Sequence, residues 1–327
     1  MDLNNIRFIG RHIIKDGKPY FSYSGCGFEF VVNPTSSESS VDISLRSELR
    51  DEHYQFVNIY LNDELYSTEK LDEGSKTINI PLNNKTTVRV VKLNEVYLSS
   101  IYINDIVLHN CMFEAIKPSN RKLIGFFGDS ITCGYGVLDY HGEVFKMEGE
   151  DFTNTYACLA CLALNMDYSV VARSGISMSI PIYCDKLFGE IYDTVDMYEK
   201  CEENRKLDYA VINLGTNDSG AYPIVFKGED RPEEVELFKE RYIAFVKRIV
   251  DDNPGVKIVL VSQMLPLREE FIEAIKEVYK SLALSLEDNI KLLECVPNSD
   301  GASGHPYLNG HEEASKLLIN AIKSFEK

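Results

Sequence analysis

The sequence lacks a long hydrophobic run, because no segment approaches the roughly 18 consecutive apolar residues that a membrane-spanning helix requires. It also lacks an excess of basic residues: 34 Lys and Arg stand against 51 Asp and Glu, which gives a formal net charge of −17. An acidic chain of this kind binds nucleic acid or anionic membranes poorly and repels acidic substrates. We therefore expect no nucleic-acid or membrane partner and favour a neutral substrate.

The eight cysteines show no spacing typical of a zinc site or a disulfide framework. Cys158 and Cys161 form one CxxC motif, but it lies in the helical-looking run CLACLAL and has no second pair. We interpret these cysteines as small, reduced, buried side chains. Neither this pattern nor the chemistry described below implies a metal or an organic cofactor.

The N-terminal stretch MDLNNIRFIGRHIIKDGK carries charges throughout and has no apolar region typical of a secretion signal. On this ground we expect a cytoplasmic protein. A chain from which a leader had been removed would look the same and would be secreted. The sequence does not indicate an oligomeric state.

The length of 327 residues, at roughly 150 residues per domain, indicates two domains. The first third consists of short segments that alternate apolar and polar residues, as half-buried strands do. These segments are IRFIGR from Ile6, FEFVV from Phe28, VDISL from Val41, FVNIYL from Phe56, TINIPL from Thr77, TVRVV from Thr87 and IYINDIVL from Ile101. Turn formers such as Asp16-Gly17 and Asn62-Asp63 separate them. Residues 1–115 are therefore predicted to form a jelly-roll-like β-sandwich.

From about residue 118 the pattern changes to strands that alternate with helices. The predicted strands are LIGFFG from Leu123, YSVVA from Tyr168, YAVINLG from Tyr209, VKIVLVS from Val256 and IKLLECV from Ile290. The predicted helices span about 155–164, 232–250, 269–286 and 309–325. This order is typical of an α/β fold with a parallel sheet covered on both faces. Residues 118–327 are predicted to form a three-layer αβα, flavodoxin-like domain.

Four predicted strand ends carry polar elements, and ligand sites of such sheets lie beyond the carboxyl ends of the strands. The elements are Gly128-Asp129-Ser130, Arg173-Ser174-Gly175, Gly215-Thr216-Asn217-Asp218 and the stretch 298–306 with His305. Taken singly, each has a simpler interpretation: Asp129 and Ser130 could cap a helix, Gly175 could serve a turn, and Asp218 could bond its own backbone. The combination in this order carries the functional prediction.

The combination supplies what acyl transfer requires. The neutral hydroxyl of Ser130 is a poor nucleophile and needs an adjacent base, for which His305 is the candidate. The tetrahedral intermediate carries an oxyanion, and preorganised donors must stabilise it. The backbone N–H groups of Ser130 and Gly175 and the side-chain amide of Asn217 are the candidate donors.

These elements resemble the four blocks of the SGNH (GDSL-type) hydrolases. The matching residues are Ser130 in FFGDSITCGYG, Gly175 in ARSGIS, Asn217 in NLGTNDS and His305 in GHPYLNGH. The resemblance implies that Ser130 is the nucleophile, that Ser130, Gly175 and Asn217 form the oxyanion hole, and that His305 is the general base.

The first part of the chain resembles the β-sandwich that precedes the catalytic domain in carbohydrate esterase family 2. The stretches FIGR from Phe8, SGCGFEF from Ser24 and VKLNE from Val91 carry this resemblance, together with FTNTYACLA from Phe152. It implies an esterase that removes acetyl groups from acetylated xylan- or mannan-type poly- or oligosaccharides. The sandwich would then either shape one wall of the cleft or act only as a folding partner.

Two features depart from the expected pattern. Most SGNH hydrolases have the triad acid three residues before the histidine, and here that position is Ala302. Either Asp300 reaches His305, or a backbone carbonyl orients His305 without a carboxylate. The chain also has no tryptophan, so any aromatic sugar platform would have to come from tyrosine or phenylalanine. The candidates are Tyr135, Tyr140, Phe145, Tyr183 and Tyr222.

Two other functions stay open at this point. One is a different GDSL-type enzyme, such as a lipase, thioesterase or acyltransferase, although no lid-like apolar insertion is evident. The other is a non-catalytic carbohydrate-binding protein, against which the retention of Ser130, Asn217 and His305 argues.

Overall fold

A computed structural model describes residues 3–50, 53–140, 142–201 and 205–326. The chain divides into two compact units, of which the first comprises Met1–Asn120 and Thr194–Glu202, and the second comprises Arg121–Asp193 and Glu203–Lys327. The sequence places the boundary at 115–118, a few residues before Asn120. It also assigns residues 194–202 to the second domain, whereas the structure groups them with the first unit. The outermost residues of the two predicted ranges lie outside the described part of the chain.

The first unit is built from antiparallel strands. Their bounds are β1 Arg7–Ile9, β2 Ile13–Lys15, β3 Lys18–Phe21, β4 Gly27–Pro34, β5 Ser40–Leu49, β6 Gln55–Leu61, β7 Glu64–Leu71, β8 Gly74–Pro81, β9 Thr86–Lys92, β10 Ser99–His109 and β11 Cys111–Glu114, after a 3₁₀ turn at Leu3–Asn5. The strands form two sheets, with the orders β1-β4-β9-β6-β7 and β2-β3-β10-β5-β8, and β11 pairs with β4. This antiparallel β-sandwich confirms the fold class expected for the first part of the chain.

The alternation of apolar residues places one face of each sheet in the core. Along β5, the side chains of Val41, Ile43 and Leu45 are buried while the residues between them are partly exposed. Two hairpins use residues with positive φ at their turns: Asp16 and Gly17 join β2 to β3, and Asn62 and Asp63 join β6 to β7. These turns have the twist that two-residue hairpins require.

Residues 194–202 belong to the first unit because their polar groups bind its strands. The phenolic hydroxyl of Tyr20 donates to the Asp196 carboxylate over 2.7 Å, and Tyr23 Oη lies 2.9 Å from Thr194 Oγ1. Arg11 also donates to the carbonyl of Thr194 over 3.1 Å. A linear division of the sequence could not place this segment, because only tertiary contacts assign it.

The second unit alternates strands and helices. Its strands are β12 Leu123–Gly128, β13 Asp167–Ala172, β14 Tyr209–Asn213, β15 Lys257–Ser262 and β16 Ile290–Glu294. Its α-helices are α1 Ser130–Cys133, α2 Tyr156–Leu164, α3 Phe188–Ile191, α4 Thr216–Val225, α5 Pro232–Asp252, α6 Glu269–Leu286 and α7 Leu308–Lys323. Short 3₁₀ turns occur at Met147–Gly149, Phe152–Asn154, Glu287–Asn289, Ala302–Gly304 and Ser324–Glu326.

The strands of the second unit form a parallel sheet in the order β13-β12-β14-β15-β16, which is the doubly wound order of flavodoxin-like folds. On one face, Phe126 of β12 packs in a core cluster with Tyr156 of α2 and Leu318 of α7. On the other face, the neighbouring Phe127 contacts Phe245 of α5. Helices therefore cover both faces, which confirms the predicted three layers.

Within the described ranges, no helix is both long enough and apolar enough to cross a membrane. Cys158 and Cys161 are buried in α2, in the same core cluster as Phe126. This placement agrees with their interpretation as small core side chains.

Neighbouring leucines of α7 provide a test of the core. Leu318 is fully buried in the cluster, while 38% of the adjacent Leu317 is exposed. We expect Leu318→Ala to lower the free energy of unfolding by about 2–5 kcal/mol because it leaves a cavity, and Leu317→Ala by about 1 kcal/mol or less. Urea denaturation followed by far-ultraviolet circular dichroism measures both variants. Equal losses would contradict this placement of α7.

Candidate active site

The four polar elements lie at one edge of the parallel sheet. Strand β12 ends before Ser130, β13 before Gly175, β14 before Asn217, and β16 before the loop that carries His305. Because the strands are parallel, their carboxyl ends meet at the same edge. Strand order reverses on the two sides of β12, so Ser130 and Asn217 flank the switch point of the sheet.

The nucleophile and base candidates are in direct contact. Nε2 of His305 lies 2.9 Å from Oγ of Ser130, although the two residues are 175 positions apart in sequence. Ser130 is the first residue of α1, and its side chain is largely buried. A neutral imidazole that accepts at Nε2 can take the hydroxyl proton as Oγ attacks a carbonyl carbon.

The turn that carries Ser130 is held by Asp129 and by a close approach at Gly128. Asp129 caps α1, because its carboxylate accepts a hydrogen bond of 3.0 Å from the N–H of Ile131. A Cβ atom at Gly128 would lie 2.1 Å from Oγ1 of Thr132, so that position admits only glycine. The sharp turn after β12 thereby places Ser130 at the sheet edge, with its hydroxyl beside His305.

Burial of Asp129 raises its pKa to about 7, because removal from water disfavours the charged form. The hydrogen bond from Ile131 acts in the opposite direction, and the nearby charge of Asp218 adds to the increase. The amide of Asn217 also approaches Asp129, with Nδ2 3.4 Å from Oδ2. The residue before the nucleophile therefore contacts the side chain of an oxyanion-hole candidate.

Gly175 occupies a backbone conformation that favours glycine, with φ +75°. A Cβ atom there would lie 2.7 Å from Cβ of Tyr183, which leaves no space for a side chain. The next residue, Ile176, accepts a hydrogen bond of 2.9 Å from Nδ2 of Asn217 at its carbonyl. The amide of Asn217 therefore connects the loop of Gly175 with Asp129, the neighbour of Ser130.

Asp218 is a buried carboxylate that ties the asparagine turn to the glycine loop. It accepts hydrogen bonds from the backbone N–H groups of Met178, Ser179 and Ile180 at 2.9, 2.7 and 3.1 Å, and from Oγ of Ser179 at 2.9 Å. Burial raises the pKa of Asp218, while these hydrogen bonds act in the opposite direction. Asp218 therefore links two loops, whereas the simpler interpretation from the sequence had its side chain bonding its own backbone.

The structure does not bring Asp300 to His305. The Asp300 side chain is exposed, and its carboxylate accepts a hydrogen bond of 2.9 Å from the amide of Asn298. Nδ1 of His305 is buried, and no acceptor in the described part of the chain meets hydrogen-bond geometry with it. Burial lowers the pKa of His305, while the nearby backbone carbonyl groups of Ala302 and Ser303 act to raise it. Of the two orienting groups that the sequence leaves open, the backbone carbonyls are the ones beside the ring.

The aromatic candidates divide into three groups. Tyr222 is 3% exposed and packs on Phe226 and Phe271, so its ring offers no exposed face for a sugar. Tyr135 stacks on Phe145 and also contacts the ring of His305. Two tyrosines are exposed beside site residues: Tyr183 adjoins Gly175, and Tyr140 packs on Tyr307, two residues after His305.

His311 has a structural role in the core of the second unit. It is fully buried in α7, and its Nδ1 accepts a hydrogen bond of 3.2 Å from the N–H of Tyr156. Burial lowers its pKa to about 3, so the ring is neutral near neutral pH.

Two contacts of the site were not predicted from the sequence. The Asp218 carboxylate binds residues 178–180, and Tyr135 stacks on His305. Both residues lie inside the quoted motifs, next to Asn217 and five residues after Ser130. Their position in the motifs is the one signal that could have singled them out, because their partners lie in other loops.

A model of the GDSL-like lipase/acylhydrolase family matches residues 126–313, more than half of the chain and the whole of the site described above. The chain belongs to the GDSL-like lipase/acylhydrolase family.

Curated relatives and solved structures extend the similarity. Two proteins of Cellvibrio japonicus, both named acetylxylan esterase / glucomannan deacetylase, are 21% and 25% identical to this chain. The first match covers 78% of this chain and 70% of the relative, and the second covers 63% and 60%. The structure of a family two carbohydrate esterase from Clostridium thermocellum in complex with cellohexaose has a TM-score of 0.86 at 19% identity, with 98% of both chains covered. That structure therefore shares the fold of both units.

The Asp218 contact makes a stability prediction. We expect Asp218→Asn to lower the free energy of unfolding by about 1–3 kcal/mol, because an amide NH₂ cannot accept the backbone N–H groups that the second carboxylate oxygen binds. Asp300→Asn, the matched change at an exposed carboxylate, should alter it by about 0.5 kcal/mol or less. Urea denaturation measures both. An Asp218→Asn protein as stable as Asp300→Asn would contradict the proposed link between the loops.

The position of Asp300 makes a kinetic prediction. We expect Asp300→Asn to keep kcat for a short-chain aryl ester within about threefold of the wild type, because this carboxylate does not contact the imidazole. Loss of a true triad carboxylate costs on the order of 10⁴ in kcat in serine proteases. Steady-state hydrolysis at saturating ester distinguishes the two cases. A loss of about a thousandfold or more would show that Asp300 moves to His305 during the reaction.

Proposed function

We propose that this protein is a carbohydrate O-acetyl esterase that removes acetyl groups from acetylated xylan- or mannan-type poly- or oligosaccharides. The observation that carries the proposal is the 2.9 Å contact between Ser130 Oγ and His305 Nε2, at a sheet edge that also holds Gly175 and Asn217. The names of the two Cellvibrio relatives support the choice of an acetylated polysaccharide.

Acylation begins when Ser130 Oγ attacks the acetyl carbonyl carbon. The Oγ–H bond breaks and its proton passes to Nε2 of His305, while the carbonyl π electrons move to the oxygen. The N–H groups of Ser130 and Gly175 and the amide of Asn217 stabilise this oxyanion. The Asn217 N–H that contacts Asp129 over 3.4 Å turns to the oxyanion, while the other N–H keeps its bond to the carbonyl of Ile176. When the tetrahedral intermediate collapses, the imidazolium protonates the leaving sugar hydroxyl, and an acetyl-serine is left.

Deacylation repeats these steps with water. His305, neutral again, takes a proton from water as its oxygen attacks the acetyl-serine carbonyl. The same donors stabilise the second oxyanion, and collapse passes the proton from His305 to Oγ of Ser130 and releases acetic acid, which loses its proton to water to give acetate. Because burial lowers the pKa of His305, the imidazole stays neutral, and able to act as a base, at lower pH than an exposed histidine would.

The surroundings of the site fit a neutral, polyhydroxylated substrate better than an anionic one. The chain has a net charge of −17, which disfavours the approach of anions. Tyr183 and Tyr140, 47% and 60% exposed, lie beside Gly175 and Tyr307 respectively. Aromatic rings exposed in this way offer amphipathic faces on which the C–H faces of a sugar can stack. We assign these two tyrosines to the sugar site.

Acetate release tests the proposal. We expect the wild type to release acetate from acetylated xylo- or manno-oligosaccharides, and Ser130→Ala to lose this activity by about 10⁴-fold or more because it lacks the nucleophile. Asn217→Ala should lower kcat by about 10²–10³-fold, since it removes one oxyanion donor. Enzymatic quantification of acetate, with a circular-dichroism spectrum as the control for folding, measures all three proteins.

The second part of the test varies the length of the acyl chain. Aryl esters from acetyl to octanoyl should be hydrolysed with decreasing kcat/KM. A kcat/KM that rises towards octanoyl would favour a lipase or thioesterase over the acetyl esterase. Oligosaccharide binding without acetate release by a folded wild type would favour a binding protein.

A further inference from the structure

Three rings stack beside the nucleophile. The ring centroids of Phe145 and Tyr135 are 3.9 Å apart with planes 12° from parallel, and those of Tyr135 and His305 are 4.4 Å apart with planes tilted by 38°. Two rings this close to the centroid of Tyr135 cannot share one of its faces, because they would overlap. Tyr135 therefore lies between Phe145 and His305.

This arrangement excludes Tyr135 from one role and leaves another. A sugar platform needs a free ring face, and both faces of Tyr135 are occupied by protein rings. One face of Tyr135 contacts the imidazole of His305, and this is the ring that gains positive charge during the reaction. The π face of an aromatic ring carries negative potential and attracts a cation within about 6 Å of its centroid.

His305 lacks the carboxylate that ordinarily stabilises the imidazolium in a catalytic triad. In the described ranges no carboxylate makes an ion pair or a hydrogen bond with it, and the Asp300 carboxylate is bound by Asn298. From α7 the titratable group that acts on His305 is His311, which is buried and neutral. From the serine turn, the ring of Tyr135 contacts the imidazole. The backbone carbonyl groups of Ala302 and Ser303 act to raise the pKa of His305, and its Nε2 lies 2.9 Å from Oγ of Ser130.

We propose that Tyr135, backed by Phe145, is a positioning residue that takes over part of the role of the missing triad acid: it fixes the plane of the His305 imidazole and stabilises the imidazolium through its ring face. The inference rests on the proposed Ser130–His305 acyl transfer and adds a residue to it. The proton inventory is unchanged, since the proton moves from Ser130 Oγ to His305 Nε2 and Tyr135 neither gains nor loses one.

The backbone couples this ring to the nucleophile. The N–H of Tyr135 donates to the carbonyl of Ser130 over 3.1 Å, in the turn that ends α1. Residues 130 and 135 are therefore held in one short turn, and the ring contacts the base from the same segment that carries the nucleophile. A change in the ring alters the position of His305 relative to Ser130.

Tyr135→Leu tests the proposal, because leucine keeps apolar bulk over His305 but has no π face. We expect kcat for an aryl acetate to fall by about ten- to a hundredfold with KM within about threefold, since the base is less well placed. The acid limb of the kcat/KM profile, where activity rises as His305 loses its proton, should move to lower pH by about 0.5–1 unit. Tyr135→Phe, which keeps the ring, should restore kcat and the profile of the wild type.

Tyr66→Leu, the same change at an exposed tyrosine of β7, is the matched control and should leave both measurements unchanged. A Tyr135→Leu profile that coincides with the wild type or moves to higher pH overturns the proposal, as does a Tyr135→Phe variant as defective as Tyr135→Leu.

A measurement without substrate separates this proposal from the proposed function. The Cε1–Hε1 NMR signal of His305, assigned by its absence in His305→Gln, should titrate at lower pH in Tyr135→Leu than in the wild type and in Tyr135→Phe. A lowered midpoint in a protein that releases no acetate would support the ring contact and contradict the esterase. An unchanged midpoint in an active enzyme would contradict the ring contact alone.

Discussion

The buried carboxylate of Asp218 is the interaction on which the geometry of the proposed oxyanion hole depends. Its two oxygens bind three consecutive backbone N–H groups and a hydroxyl of the loop 178–180. The neighbouring Asn217 binds the same loop at the carbonyl of Ile176. Two adjacent residues thus fix the loop of Gly175 relative to the start of α4. Oxyanion stabilisation requires donors that are in place before charge develops, and a loop held by five hydrogen bonds meets this requirement.

Gly128 and the buried acid Asp129 fix the turn that carries the candidate nucleophile Ser130. Gly128 lets β12 approach Thr132 closely, and Asp129 caps the single turn that begins with Ser130. With a pKa raised to about 7 by burial, Asp129 is only partly charged near neutral pH. Burial therefore reduces the share of charged carboxylate beside the candidate nucleophile Ser130.

The sequence predicts what local pattern determines. Apolar runs that end in polar residues predicted β12 and singled out the four candidate site residues, and period-two alternation predicted β5 and β9. It missed β7, whose side chains are mostly exposed, and β3, where Pro19 weakens the strand signal. It also missed α4, which contains Gly220 and Pro223. The partners of Asp218 and Tyr135, and the place of residues 194–202, depend on contacts between distant segments, which no local pattern contains.

A histidine that acts as a base without a carboxylate, as we propose for His305, faces two separate demands. It must be neutral before the reaction and stable as a cation during it, and burial helps the first while it hinders the second. A charged acid on Nδ1 would raise the pKa of His305 in both states. The carbonyl groups of Ala302 and Ser303 and the face of Tyr135 are weaker partners, without net charge. They favour the cation less strongly in the resting enzyme, so the lowered pKa of His305 is retained. The arrangement therefore gives up some stabilisation of the imidazolium and keeps a larger share of His305 in the basic form at acidic pH.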